Sequence, residues 1–127
     1  MELPNKVVID TNMLLYIEKF NIDIFEEIKK LLGATEFFIT KQVEFELSLK
    51  EKENLNLEKS SKIAKKIMEK NNVKIMRIEG ENADKSLENA SKKGFIVVTS
   101  DKELRKNIKG FGGEVIYLRK KKLLELD

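Results

Sequence analysis

The fold is decided by the stretch Val7-Val8-Ile9-Asp10-Thr11-Asn12, a β-branched run followed by an aspartate and two more polar residues. Such a run is typical of a buried strand, and Asp, Thr and Asn are typical of the start of a helix. A similar stretch, Val97-Val98-Thr99-Ser100-Asp101, lies near the end of the chain. Two strands that each lead into a helix indicate parallel strands joined by helical crossovers.

Segments of these two kinds alternate along the rest of the sequence. Strands are predicted over residues 7–9, 37–39, 73–78, 95–98 and 115–118. Helices are predicted over residues 13–19, 23–32, 41–52, 57–71, 83–93 and 102–108. This alternation predicts a single α/β domain over residues 1–127, with about five parallel strands covered by helices on both faces.

One segment, residues 41–52, is compatible with either type of element. Its apolar residues Val43, Phe45, Leu47 and Leu49 alternate as in a strand, but they also form two rows with the i,i+4 spacing of a helix. The length of the segment and its richness in Glu and Lys favour the helix.

The composition excludes several kinds of site. The 127 residues include no Cys and no His, which excludes disulfides, Cys or His metal ligands, thiol nucleophiles and a Ser-His-Asp triad. An enzyme with this sequence must use carboxylates, lysines, hydroxyls, backbone dipoles or a metal ion bound by oxygen. The longest apolar run, residues 13–17, is too short to span a membrane, and we expect a cytoplasmic protein.

The acidic residues are unevenly divided, with 17 Glu and only five Asp. Asp10 and Asp101 follow the first and fourth predicted strands, and Asp84 begins the helix that leads into the fourth. Glu46 lies one to two turns into the helix after the second strand. Each residue alone is explained by a helix cap or a solvated charge. Together they map to the carboxyl edge of the sheet, where open α/β folds bind ligands.

Four carboxylates at one edge would repel one another unless a cation lay between them. Mg²⁺ and Mn²⁺ take oxygen ligands from carboxylates, together with water and substrate phosphate. Such a site supports phosphodiester hydrolysis, in which a metal-activated water attacks phosphorus and metal charge stabilises the leaving oxygen. This chemistry requires neither His nor Cys, in agreement with the composition.

Four motifs, in order along residues 7–126, resemble those of the PIN domain family of metal-dependent ribonucleases. The first acid is Asp10 in Val7-Val8-Ile9-Asp10-Thr11-Asn12, and the second is Glu46 in Val43-Glu44-Phe45-Glu46-Leu47. The third is Asp84 in a segment with Ala83 and Ala90, and the fourth is Asp101 in Val97-Val98-Thr99-Ser100-Asp101. The ending, residues 115–123, resembles archaeal proteins related to the ribosomal-RNA-processing branch.

The resemblance implies a three-layer α/β/α fold with strand order 3-2-1-4-5. It implies a Mg²⁺ or Mn²⁺ site formed by Asp10, Glu46, Asp84 and Asp101, with Asn12, Thr99 and Ser100 as supporting polar groups. The implied activity is endonucleolytic cleavage of single-stranded RNA, either by the toxin of a toxin–antitoxin pair, with an antitoxin as partner, or by an RNA-processing enzyme. The implied assembly is a homodimer.

One residue departs from the pattern of the family. Lys85 stands where many members carry a second acid directly after the third one. With one carboxylate fewer, the number of metal ions, one or two, stays open. The same departure motivates a second hypothesis, in which the chain is a non-catalytic scaffold that binds RNA or protein through a relict acidic cleft.

Positive charge is concentrated near the end of the chain. Residues 102–122 contain eight basic and two acidic residues, a net charge of +6, whereas the rest of the chain carries −3. This asymmetry indicates a surface that binds a polyanion, and Lys102, Arg105 and Lys106 are the candidate RNA contacts beside Asp101. A solvated basic face is the alternative interpretation.

Two further interpretations of single motifs lack a feature that the corresponding function requires. A phosphoacceptor aspartate at Asp10 would be expected to have a second aspartate two residues later, where Asn12 stands. The glycine-rich stretch Gly110-Phe111-Gly112-Gly113 follows a predicted helix and precedes a predicted strand. A dinucleotide-binding loop needs the reverse order, so this stretch predicts a helix C-cap and a turn.

Overall fold

The computed structural model describes residues 3–127, which form one mixed sheet and six helices. The strands are β1 (Asn5–Ile9), β2 (Thr35–Thr40), β3 (Lys74–Met76), β4 (Ile96–Val98), β5 (Val115–Arg119) and β6 (Leu123–Leu126). The helices are α1 (Thr11–Lys19), α2 (Ile24–Leu32), α3 (Lys41–Glu51), α4 (Leu55–Lys70), α5 (Ala83–Lys92) and α6 (Lys102–Gly110). The predicted elements are all present.

The sheet has the strand order β3-β2-β1-β4-β5-β6, in which β1 to β5 are parallel and β6 is antiparallel to β5. The predicted order of the five parallel strands is therefore confirmed, but the prediction omitted the sixth strand. The turn before β6 contains Lys120 and Lys121, both with positive φ (54° and 61°). Because turns of this kind usually contain Asn-Gly, a run of lysines gave no sign of a hairpin.

The helices cover both faces of the sheet, as the right-handed rule for parallel crossovers requires. The connections from β1 to β2 and from β2 to β3 lead toward the β3 side of the sheet and carry α1 to α4. The connections from β3 to β4 and from β4 to β5 proceed in the opposite direction and carry α5 and α6. The three-layer α/β/α architecture is thus as predicted, with β1 and β4 at the centre of the sheet.

The core lies between the central strands and the helices. Every residue of β4 and the last three residues of β1 are buried. They pack with apolar side chains of α1 and α2, among which Met13, Leu14, Phe25 and Ile28 are fully buried. Each such side chain stabilises the fold by roughly 1.5–3 kcal/mol relative to an exposed position. The residues that directly follow β1 and β4 therefore start from rigid positions.

Polar side chains cap the helices that begin at the carboxyl edge of the sheet. Asp10, Thr40, Asn82 and Asp101 precede α1, α3, α5 and α6, and each accepts a hydrogen bond from a backbone N–H of its helix. Such caps satisfy N–H groups that have no partner within the helix. Asp10 and Asp101 are therefore caps, and their remaining lone pairs are available for a second role.

The ambiguous segment is helical, as predicted, but only one of its two apolar rows is buried. Val43 and Leu47 belong to the core, whereas Phe45 and Leu49 are 66% and 52% exposed. Helix α3 thus presents an apolar pair at the surface beside Glu46. No helix within residues 3–127 is long and apolar enough to cross a membrane.

Candidate active site

The candidate site begins where β1 and β4 end side by side. Ile9 is paired with Val98 in the parallel register, and the backbone N–H of Asp10 donates to the carbonyl of Val98 at 3.0 Å. The next residue of the second strand, Thr99, follows Val98 directly. The two central strands therefore deliver an aspartate and a threonine to neighbouring positions at the carboxyl edge.

Asp10 is buried, with a relative exposure of 5%. The hydroxyl of Thr99 donates to its Oδ2 at 2.7 Å, and the backbone N–H of Thr11 donates to its Oδ1 at 2.7 Å. Burial raises the pKa of Asp10 from 3.8 to about 6, because a charged carboxylate is poorly solvated there. The two hydrogen bonds oppose this increase in pKa, since both stabilise the charged form.

Thr99 connects Asp10 to Asp101. The Thr99 hydroxyl accepts a hydrogen bond from the backbone N–H of Asp101 at 3.1 Å while it donates to Asp10. Asp101 itself is exposed, and its Oδ1 accepts from the backbone N–H of Leu104 at 3.0 Å. Asp101 is thereby held in a fixed position relative to Asp10, but it is in contact with solvent.

Asp84 and Glu46 lie within electrostatic range of these two aspartates. Partial burial, together with the charges of Asp101 and Glu46, raises the pKa of Asp84. The charges of Asp84 and Glu46 also raise the pKa of Asp10. The structure therefore brings all four predicted acids to one region, in which they repel one another.

Two hydrogen-bonded links fix the helices that carry Glu46 and Asp84. The hydroxyls of Ser86, in α5, and Thr40, at the start of α3, are hydrogen-bonded to each other at 2.9 Å. The side-chain amide of Gln42 donates to the carbonyls of Ile78 and Gly80 at 2.9 and 2.8 Å. A Cβ on Gly80 would lie 2.5 Å from the Ser86 nitrogen, so only glycine allows this close approach.

The predicted supporting residues divide into different environments. Thr99 contacts Asp10 directly, as described above. Asn12 is exposed on the first turn of α1. The Ser100 hydroxyl donates to Met13 Sδ at 3.4 Å and accepts from the Leu118 N–H at 3.1 Å, so it ties α1 to β5.

Three residues that support the site were not among the predicted supporting residues. Thr11 holds Asp10 through its backbone N–H, while Thr40 and Ser86 join α3 to α5. Thr11 was visible as a helix-start residue beside Asp10. The bond between Thr40 and Ser86 spans 46 residues, and no local pattern indicates it.

The predicted RNA contacts on α6 also differ from one another. Lys102 and Lys106 are exposed. The guanidinium of Arg105 pairs with Asp127 at 3.3 Å and stacks on the ring of Tyr117, with 3.7 Å from Cζ to the ring centroid. Arg105 is thus engaged within the protein, whereas Lys102 and Lys106 are accessible to a ligand near Asp101.

A groove of about 410 Å³ lies beside Glu46, between α3 and the start of α5. Its walls include Phe45 and Leu49, the apolar pair exposed on α3, together with Ala83. Lys85, the residue that departs from the family pattern, is exposed nearby on α5 and pairs with Glu88 at 3.4 Å. The edge therefore combines an acidic centre with an apolar flank.

The residues of this edge suit a hard divalent cation by their chemistry. The donors are carboxylate and hydroxyl oxygens, and the mutual repulsion of the acids would be relieved by positive charge. Within residues 3–127, no three acidic side chains are close enough together to form a ready-made ion site. Mg²⁺ commonly keeps several water ligands and is held by one or two carboxylates, so its binding would not require three acids in direct contact.

Comparison with solved structures confirms the fold. The chain superimposes on the structure of the PIN domain endonuclease Utp24 with a TM-score of 0.78 and 24% identity, which covers 98% of this chain and 92% of that one. A domain of a functionally unknown protein from Methanocaldococcus jannaschii gives a TM-score of 0.65 and 19% identity, with 91% of both chains covered. At these identities the similarity is one of fold.

Comparison of sequences identifies the family. The chain is 33% identical over 126 residues to Ribonuclease VapC9 from Archaeoglobus fulgidus, an alignment that covers 93% of this chain and 88% of the relative. The family model described as a PIN like domain matches residues 7–121, a segment that contains Asp10, Glu46, Asp84 and Asp101. Because the match extends over nearly all of the chain and the fold agrees, this protein belongs to the PIN-like domain family.

Proposed function

We propose that this protein is a Mg²⁺- or Mn²⁺-dependent endoribonuclease that cleaves single-stranded RNA, and that residues 1–127 act as one domain. The observation that carries the proposal is the environment of Asp10. This carboxylate is buried, held on both oxygens by Thr99 and Thr11, and placed in electrostatic range of Glu46 and Asp84. A buried carboxylate close to other negative charges is energetically unfavourable. At the ligand-binding edge of an α/β sheet, such an arrangement is typical of a functional site.

The comparisons support the ribonuclease part of the proposal. A relative with 33% identity over most of both chains is named a ribonuclease. The matched family segment includes all four proposed metal ligands. The structural neighbour named an endonuclease supports the fold only, since its identity is 24%.

The proposed roles of the side chains follow from their exposure. A bound divalent ion would lower the pKa of a water molecule and neutralise charge on the phosphate. Asp10 would hold the ion from the buried side, with its orientation set by Thr99 and Thr11. Asp84 and Asp101, which face solvent, would complete its surroundings through direct contacts or through water.

The proposed substrate is single-stranded because the innermost acid is recessed. Asp10 is only 5% exposed, so a phosphodiester must approach the edge closely to reach an ion held there. A flexible single strand can bend into such a site more readily than a stiff A-form duplex, whose grooves restrict access. The exposed Lys102 and Lys106 lie beside Asp101 and would attract the phosphate backbone.

A cleavage assay with an unstructured RNA tests the proposal. The purified protein is expected to cut the RNA internally in the presence of Mn²⁺ or Mg²⁺ and not in EDTA, and Asp10→Asn should not cut it. The matched control is Asp23→Asn, because Asp23 also caps a helix but lies outside the site and asparagine preserves the cap. Equal cleavage by wild type and Asp10→Asn would contradict the assignment of the site.

Lys85 supports a second candidate function, a non-catalytic scaffold that binds RNA or protein. The lysine adds positive charge next to Asp84, where many family members have another acid. Calorimetric titration distinguishes the two functions. No uptake of Mn²⁺ at millimolar concentration, combined with salt-dependent RNA binding, would favour the scaffold.

The proposed partners are single-stranded RNA, an antitoxin protein and a second copy of the chain. The surface pair Phe45 and Leu49 supports a protein partner, because exposed apolar side chains next to each other favour association. Light scattering coupled to gel filtration is expected to show a homodimer. A neighbouring small gene for a DNA-binding antitoxin would favour the toxin over the RNA-processing enzyme.

A further inference from the structure

The loop between β5 and β6 concentrates positive charge, and none of its residues belongs to the site described above. This basic loop, residues 120–122, consists of three lysines, all exposed. None of the three forms an ion pair with a carboxylate of residues 3–127. The adjacent Arg119 does, since it pairs with Glu125 at 2.9 Å.

The backbone of the basic loop is strained. Lys120 and Lys121 both have positive φ, 54° and 61°, and the Lys122 N–H donates to the Arg119 carbonyl at 3.2 Å to close the turn. Left-handed backbone is unfavourable for side chains other than glycine and, to a lesser degree, asparagine. Two lysines at these positions cost stability that Asn-Gly would not, which suggests that the side chains serve another purpose.

The hairpin that carries the loop is firmly held. Glu125 of β6 accepts from the Tyr117 hydroxyl at 2.9 Å as well as from Arg119. Lys121 Nζ lies 5.5 Å from the ring centroid of Phe20, at the end of α1. The hairpin thus holds the basic loop in a fixed position.

The position of the loop is next to the acidic edge. β5 is parallel to β4, so both strands end at the same edge of the sheet. The Leu118 N–H donates to the Ser100 hydroxyl, and Ser100 stands between Thr99 and Asp101. Since strand residues advance by roughly 3.3 Å each, the loop begins within about 10 Å of this contact.

We propose that the basic loop binds the phosphate backbone of the RNA strand and holds it across the acidic edge. This inference rests on the proposed function for its substrate. Repulsion from the four carboxylates disfavours a polyanion at this edge, and the three lysines at its border would offset that repulsion. Contacts to phosphate fix position and carry no sequence information, so the loop is expected to bind RNA of any sequence.

The double variant Lys120→Asn/Lys121→Gly separates binding from folding. It supplies the residues that the turn prefers, so the melting temperature should rise. Affinity for a fluorescent unstructured 20-nucleotide RNA, measured in EDTA, should fall about tenfold at moderate salt, and the slope of log K against log salt should decrease by about 1.4. In the cleavage assay KM should rise while kcat stays unchanged.

Two further variants serve as controls. Lys120→Arg/Lys121→Arg retains the charge and should retain RNA affinity. Lys70→Gln/Lys93→Gln removes the same charge from two exposed lysines that precede β3 and β4, at the amino-terminal ends of the parallel strands. This variant should change the affinity for RNA by less than about twofold.

The outcomes distinguish this inference from the proposed function. A more stable Asn-Gly variant with unchanged affinity and salt slope would overturn the role of the loop, and so would an equal loss of affinity in the Lys70/Lys93 control. If wild type cleaves RNA and the Asn-Gly variant has the same KM, the nuclease stands and the loop proposal fails. If wild type binds RNA through the loop but never cleaves it, the nuclease fails and the loop proposal stands.

Discussion

Asp10 and Asp101 each follow a central strand of the sheet but occupy opposite environments in the structure. Each follows a central strand, β1 or β4, and each caps the helix that comes next. Asp10 is 5% exposed and receives hydrogen bonds on both oxygens, whereas Asp101 is open to solvent. The same local pattern therefore produces one recessed acid and one accessible acid.

The difference arises from a displacement of two residues. Asp10 comes directly after the last residue of β1, so β4 and Thr99 lie alongside it. Asp101 comes after Thr99 and Ser100, which carry the chain beyond the end of β4. Distance from the strand end thus decides how strongly each of these acids is desolvated, and burial raises the pKa of Asp10.

The largest effect should be on cleavage. We expect Asp10→Asn to lower kcat/KM by at least about 10³-fold, or roughly 4 kcal/mol of transition-state stabilisation, because no other group can replace the buried acid. Asp101→Asn should lower kcat/KM by only about 10- to 100-fold, since a water molecule can take the place of an exposed carboxylate. Initial rates over a range of Mn²⁺ concentrations would measure both, and the loss in Asp101→Asn should shrink as Mn²⁺ increases. Equal losses of kcat/KM in the two variants would contradict the expected difference between the recessed Asp10 and the accessible Asp101.

The next effect concerns stability without metal ions. Because the pKa of Asp10 is raised from 3.8 to about 6, the folded protein binds more protons than the unfolded chain between these values. Stability in EDTA should therefore fall as the pH rises from about 4 to about 6 and stay lower above it. Asp10→Asn should remove this loss, so it should be more stable than wild type at pH 7 by on the order of 2–3 kcal/mol.

Asp101→Asn is the matched control for that measurement. Asparagine caps helices as well as aspartate does, so its stability at pH 7 should lie within about 0.5 kcal/mol of wild type. Urea unfolding at several pH values checks both variants. A wild-type protein whose stability is constant from pH 4 to pH 7 would show that Asp10 is not desolvated.

A smaller effect is expected from Thr99, the residue that joins the two acids. Thr99→Val removes the hydroxyl bond that lowers the pKa of Asp10, so this pKa should rise further. The acid limb of the pH–rate profile should move to higher pH, with about a tenfold lower rate at neutral pH. Thr99→Ser keeps the hydroxyl and should keep the profile. A merely structural role for Thr99 would lower the rate without moving the limb.

The smallest effect should come from Lys85, which lies at the exposed side of the site. Lys85→Asp replaces a positive by a negative charge next to Asp84, so Mn²⁺ should bind about fivefold more tightly at low ionic strength. Lys93→Asp makes the same change before β4, at the amino-terminal ends of the parallel strands, and should leave the affinity for Mn²⁺ unchanged. Calorimetric titration measures both. Unchanged Mn²⁺ binding by Lys85→Asp would place Asp84 outside the ion site.

The features that were predictable from sequence are those with a local cause. β-Branched runs gave the central strands, and the acids that follow them were found because the carboxyl ends of parallel strands share one edge. The exposure of Phe45 was not predictable, because both apolar rows of α3 have the same spacing and only the packing partners decide which is buried. The bond between Ser86 and Thr40 was missed for a related reason, since it joins residues far apart in the chain.

The sixth strand sets the boundary of the sheet. It lies at residues 123–126, beyond the segment matched by the family model, which ends at residue 121. Without it, the outward-facing backbone groups of β5 would have no partners, and unpaired strands of this kind recruit other chains into aggregates. The short antiparallel strand moves the open border of the sheet from Val115–Arg119 to a strand of four residues. A strand of four residues thus covers the backbone edge of β5, at which another chain could otherwise pair.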